Sequence, residues 1–221
     1  MKNINIGDAQ SALNQQISGC LSADQLIKYG STRIVFGKDI TNSYSSPSVA
    51  ENNPTTILVK VSHVAARLDF SQFDVTLKGF EGNPTVVFDE AKFVNLQQNG
   101  KIVEGDASVN VKDGAFLNRS NRIGTRWTDM GTAYGYANQY RQDSEMNTAL
   151  YVKFTVDGRT FEKTYPINPA GITKEVDHNG IKGGYLYDIK VRWTITPDWG
   201  DSTIEFYTRD WVHNSIPEIV L

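Results

Sequence analysis

The sequence predicts an all-β fold, two β-sandwich units preceded by two short N-terminal helices, and three observations carry that expectation. Leu150, Val152, Phe154 and Val156 alternate with Tyr151, Lys153 and Thr155, and Asp157-Gly158 follows as the dipeptide of a type I′ turn. From Tyr185 to Ile195 the residues Tyr185, Tyr187, Ile189, Val191, Trp193 and Ile195 again take every second place, with Leu186, Asp188, Lys190, Arg192 and Thr194 between them. This period of two puts one apolar face against a core, with Ile189, Val191 and Trp193 inside and Lys190 and Arg192 outside. After Gly30 helical spacing gives way to extended runs throughout. A sheet with one apolar face needs a second sheet to cover it, hence sandwiches.

Taken in order, Ala9, Ala12, Leu13 and Ile17 recur at helical spacing, and Ser22-Ala23-Asp24-Gln25 has the capping-box pattern before Leu26 and Ile27, so two short helices are expected between Asp8 and Tyr29. Extended runs follow at Arg33 to Phe36, Thr56 to Phe70, Phe73 to Lys78, Thr85 to Phe88 and Ile102 to Val111. Thr41 to Pro54 is rich in Ser, Asn and Pro and reads as a loop, while Gly79-Phe80-Glu81-Gly82 and Lys182-Gly183-Gly184 read as turns. Asp113 to Asn147 shows no clear period and is expected to hold a connection and the domain boundary. That gives residues 1–112 as an N-terminal β domain and 113–221 as a C-terminal sandwich. In the latter, Phe161 to Tyr165 closes a hairpin, Thr196 to Asp201 breaks the strongest strand, and Ser202 to Thr208 returns antiparallel.

Composition narrows the function. Hydrophobic residues at 39% and charged residues at 21% of 221 suffice for a packed core. With 22 Lys+Arg against 25 Asp+Glu and no basic run, nucleic acid is not an expected partner. Cys20 is the single cysteine, so no intrachain disulfide or thiolate cluster can form. No stretch reaches the ~20 apolar residues of a spanning helix. The first residues lack the apolar run of an export signal, and although Ile17-Ser18-Gly19-Cys20 has the order of a lipobox, polar residues precede it. Cys20 therefore reads as a small apolar residue on a short helix.

Sites of chemistry are sparse. His63, His178 and His213 are far apart and none has a partner at i+4, so no metal is expected; no nucleophile elbow or phosphate loop is present, and no cofactor or catalytic residue is expected. The carboxylate pairs Asp89-Glu90 and Asp198 with Asp201 fall in expected turns. Trp127, Tyr134, Tyr136 and Tyr140 cluster in the irregular region; they either contact a ligand or cover the end of a sandwich.

Several segments together resemble the fimbrillin superfamily. Ile57-Leu58-Val59-Lys60-Val61-Ser62-His63-Val64-Ala65-Ala66-Arg67-Leu68 is similar to its "V-x-V-x-R-x-V-A-R" strand, with His63 where many members carry Arg. Tyr136-Ala137-Asn138-Gln139 through Thr148 to Phe154 resembles a Tyr-x-x-Glu-Asn-like element before a Thr-rich strand, with Gln139 and Tyr140 replacing the acid and amide. Tyr187 to Val191 is similar to the "N-x-x-Y-x-I-x-V" strand, with Gly184 where the family usually has Asn, and Ile204 to Trp211 through Glu218-Ile219-Val220-Leu221 to the terminal "V-x-V-x-x-W…E-x-x-L". The subgroup most similar is the Mfa-like minor-fimbria subunits of type V pili.

That resemblance implies transthyretin-like sandwiches, export as a lipoprotein, trimming by an Arg-specific protease, and polymerisation by strand exchange at the cell surface, in a fimbria on the outer membrane. Relative to the family the N-terminal domain is expected to be incomplete. The implied partners are other fimbrial subunits, with host glycan or protein as further ones. Ile204, Phe206, Trp211, Ile216, Ile219 and Leu221 are the expected assembly residues, on a C-terminal segment either donated to the next subunit or closing its own sandwich. A surface adhesin using the aromatic cluster is the alternative reading.

Overall fold

A computed structural model describes residues 16–18, 26–30, 56–57, 59, 61–101, 108–118, 122–169, 178–211 and 219–220. In chain order the first strands are β1 (Gln16–Ser18), β2 (Lys28–Tyr29), β3 (Thr56–Ile57), β4 (Ser62–His63), β5 (Ala66–Leu77) and β6 (Val86–Val94). Short pieces follow as β7 (Leu96–Gln97), β8 (Asn99–Lys101), β9 (Val111–Lys112), β10 (Phe116–Asn118) and β11 (Arg122–Ile123). The rest are β12 (Arg126–Gly135), β13 (Ala149–Val156), β14 (Arg159–Pro166), β15 (Tyr185–Ile195), β16 (Gly200–Asp210) and β17 (Ile219–Val220).

Two sheets dominate. One has the order β12-β5-β15-β16, the other β10-β6-β13-β14 with β11 also on β6. Their inner faces meet in one core. From the first sheet it takes Leu68, Phe70, Phe73 and Val75, then Tyr187, Ile189, Val191 and Trp193; from the second, Phe88, Phe93, Leu150, Val152 and Phe154, all buried. Phe73 is the hub, with ring centroids 5.3 Å from both Phe88 and Phe154 and 5.4 Å from Trp127. Each such side chain contributes roughly 1.5–3 kcal/mol by leaving water. The alternation read at 150–156 is the alternation of burial here, as is that read along β15 from Tyr187 to Ile195, whereas at its start Leu186 is buried and Tyr185 half-buried. Asp157 (φ 44) with Gly158 (φ 80) makes the tight β13–β14 turn.

The path of the chain corrects the division at residues 112 and 113. After β5 the chain lays β6 in the opposite sheet, returns with β12 beside β5, crosses again for β13 and β14, and comes back with β15 parallel to β5. Parallel neighbours need a crossover, and here the crossover is most of the second sheet. Both sheets thus take strands from both sides of residue 112, and the described strands do not separate into two sandwiches there.

Three further expectations are corrected. Gln16–Ser18 pairs with β8 and Lys28–Tyr29 with β4, so where the 8–29 stretch is described it is strand, not helix. Helical spacing of a few small residues is a weak prior, and a ladder with a distant strand overrides it. Cys20, Arg33 to Phe36 and the loop from Thr41 to Pro54 lie outside the described residues. Asp89-Glu90 is not a turn: it sits within β6, where the register with β13 shifts between Lys153 and Phe154. Finally, the aperiodic 113–147 region contains β12, a ten-residue strand of the first sheet.

Candidate functional site

A groove of about 460 Å3 runs along the outer edge of β12 and is lined by Leu96, Gln98, residues 112–117 and residues 131–134. Its shape follows from a bulge. The β12–β5 register breaks between Thr128 and Gly131, with Asp129 at φ 53 and Gly131 at φ 141. A Cβ on Gly131 would lie 2.9 Å from that of Leu117, so glycine lets the β10 segment close down on β12. Leu96, buried, and Leu117 and Ala133, partly buried, give the groove an apolar lining. Phe116, 40% exposed, stands on the lip beneath the Lys92 ammonium, 5.7 Å from its ring centre. Lys92 also donates to Asp113 at 2.8 Å, and this bond is the leading cause holding the Asp113 carboxyl below its usual range.

Tyr134 ends the groove and begins an aromatic stack. Its ring lies 5.7 Å from Trp211 at 16°, and Trp211 lies 3.9 Å from His63 at 24°. Trp211 is the first residue after β16, and its backbone N–H donates to Gly184 at 2.7 Å. The stack therefore clamps the exit of the last long strand between the β2–β4 ribbon and the β12 edge. Burial, and then the Lys28 charge across that ribbon, lower the His63 pKa.

The expected site residues divide accordingly. Trp127 is 5% exposed between Phe73 and Phe88, so it is a core residue and not a ligand contact. Tyr136 is also 5% exposed and lies on Gly100, where a Cβ would fall 2.3 Å from its ring. Tyr134 and Tyr140 are half-buried, and Tyr134 alone of the four lines the groove. Ile204 and Phe206 belong to their own chain's core on β16, which pairs with β15 along its whole length. Trp211 is held in the stack. Ile219 pairs with Ile57 in the two-residue β17–β3 ladder. Ile216 and Leu221 lie outside the described residues, as does His213, while His178 contacts the Tyr187 hydroxyl at 2.7 Å. The groove lining at Leu96, Leu117 and Ala133 escapes any sequence pattern, because the bulge that brings it together disrupts the period of two.

No protein-family model and no curated protein sequence matches the chain. Solved structures do. The tip fimbrial protein Mfa3 of Porphyromonas gingivalis, in a C-terminally truncated form, is 15% identical over 94% of this chain and 74% of its own, with a TM-score of 0.51. A candidate cell adhesion protein of Parabacteroides distasonis is 20% identical over 68% of this chain, with a TM-score of 0.55. The chain has the fold of these fimbrial and adhesion proteins. It spans about half, 53%, of the Parabacteroides protein. The all-β, sandwich-like class meets what the fimbrillin resemblance implies, while the described strands do not divide into the two sandwiches it implies.

Proposed function

We propose that the chain is a structural subunit of a bacterial cell-surface fimbria, joined to other fimbrial subunits by strand addition and supporting adhesion without a catalytic step. The observation that carries this reading is the shared fold with a tip fimbrial protein over 94% of the chain. The groove supports the mode of assembly. An extended apolar segment laid in the groove gains side-chain pockets from its lining of Leu96, Leu117 and Ala133. The C-terminal residues Ile216, Ile219 and Leu221 have the composition of such a segment. Among the described residues β17 pairs with β3 through Ile219 and Val220, the segment whose transfer the proposal requires.

Deleting residues 215–221 tests the proposal. Fimbriae seen by electron microscopy should disappear from cells that carry the deletion, while the melting temperature of the purified chain stays within about 4 °C, the shift expected for ~1 kcal/mol. Undiminished fimbriae, or immunogold label on the cell body and not on fimbriae, would overturn it.

A further inference from the structure

Three long strands border the sandwich: β12 and β16 in one sheet, β14 in the other. A free edge offers a row of backbone donors and acceptors, which proteins blunt with bulges, prolines and lysines. β12 has its bulge and the covering Leu117. β14 ends on Pro166 and carries Arg159 and Lys163. β16 has no such protection. Its 11 residues contain no proline or lysine and pair with β15 without any register shift, and no described strand pairs its other edge.

We propose that β16 pairs with β16 of a second copy of this chain, antiparallel about a two-fold axis at Tyr207. Charge complementarity selects both the partner and the register. Ile204 and Phe206 point inward, so Asp201, Thr203, Glu205, Tyr207 and Arg209 face outward. Residues directly opposite in an antiparallel pair share a face and interact. About Tyr207, each Glu205 meets the Arg209 of the other copy and the two Tyr207 rings meet on the axis. A two-fold at Glu205 would also pair Asp201 with Arg209 but would set the two Glu205 carboxylates against each other on the axis, and one at Thr203 would set Asp201 against Glu205. Only the axis at Tyr207 pairs opposite charges with no like pair. The outer face is already organised for this. Arg192 donates to Glu205 at 2.6 Å, the Tyr207 hydroxyl donates to the same carboxylate at 3.1 Å, and Lys190 lies 4.7 Å from the Tyr207 ring centre. Arg209 is exposed and has no ion pair among the described residues, and Tyr207 is 52% exposed. The joined sheets are continuous across the axis. Because such a contact is isologous it closes on itself, so it links copies side by side and is distinct from a head-to-tail fimbrial contact.

Sedimentation of the full chain over a concentration series tests it. A dimer should form and weaken with salt, as exposed charge pairs do. Glu205→Arg and Arg209→Glu should each raise the dissociation constant about tenfold or more, since each sets two like-charge pairs across the axis. The double variant should recover the dimer. Far-UV circular dichroism and melting checks that every variant folds. In a Cys20→Ser background, Tyr207→Cys should oxidise to a disulfide-linked dimer, because opposite residues bring their Cβ atoms to ~5 Å, and Thr203→Cys should not. A chain that stays monomeric to about 1 mM, a double variant as weak as the single ones, or equal crosslinking from positions 203 and 207 would overturn the proposal.

Discussion

Trp193 is 6% exposed and meets Phe154 edge-on at 5.1 Å and Phe161 at 5.9 Å, between the two sheets. Trp193→Ala should lower the unfolding free energy by ~3–5 kcal/mol in urea titration, the range for deleting a buried aromatic ring. Arg192→Ala, on the exposed side of the same strand, should cost under ~1 kcal/mol. His63 makes a second prediction. Burial and Lys28 hold its folded-state pKa below the ordinary value of 6.5. The unfolded chain therefore binds the proton first as pH falls. The contribution to stability is complete above the unfolded pKa and declines through it toward the folded one. Urea midpoints at about pH 7.5 and 5.5 should show a loss on acidification that is smaller in His63→Phe, which keeps a ring against Trp211 but cannot titrate. An equal loss in both chains would remove His63 as its source.

At the scale of the element, the bulges matter more than the propensities. In β5 the buried set switches from Leu68 and Phe70 to Phe73 and Val75 because Ser71 is an extra residue in the pairing with β15. The Ser71 hydroxyl bonds to Asp188 across that pair. The apparent gap between the Thr56 to Phe70 and Phe73 to Lys78 runs is this bulge, in one continuous strand. Deleting Ser71 should force one half of β5 to turn its apolar residues outward. The expected outcome is loss of cooperative unfolding and of the near-UV dichroism of the core aromatics; a native near-UV spectrum would show that the bulge is dispensable.

At the scale of the whole molecule, the interleaved path predicts that the halves do not stand alone. Residues 1–112 contain β5 and β6 without their neighbours β15 and β13, and residues 113–221 the reverse. Each fragment leaves long edges and an uncovered apolar face. Expressed separately they should give poorly dispersed amide spectra, and co-expressed they should recover the dispersion of the full chain. A well-dispersed spectrum from 113–221 alone would restore the two-domain division.

The sequence by itself determined the all-β class, the inward faces of β13 and β15, and the Asp157-Gly158 turn. Each of these depends on a period of two or on the backbone preference of adjacent residues, which are local properties. Tertiary structure alone decided that β15 lies parallel to β5, that Trp127 and Tyr136 belong to the core, and that a groove opens beside β12. Those features come from pairings between residues far apart in the chain and from bulges that reverse the inward parity partway along a strand. A local pattern reports which side of a strand avoids water; it carries no information about which distant strand will cover it.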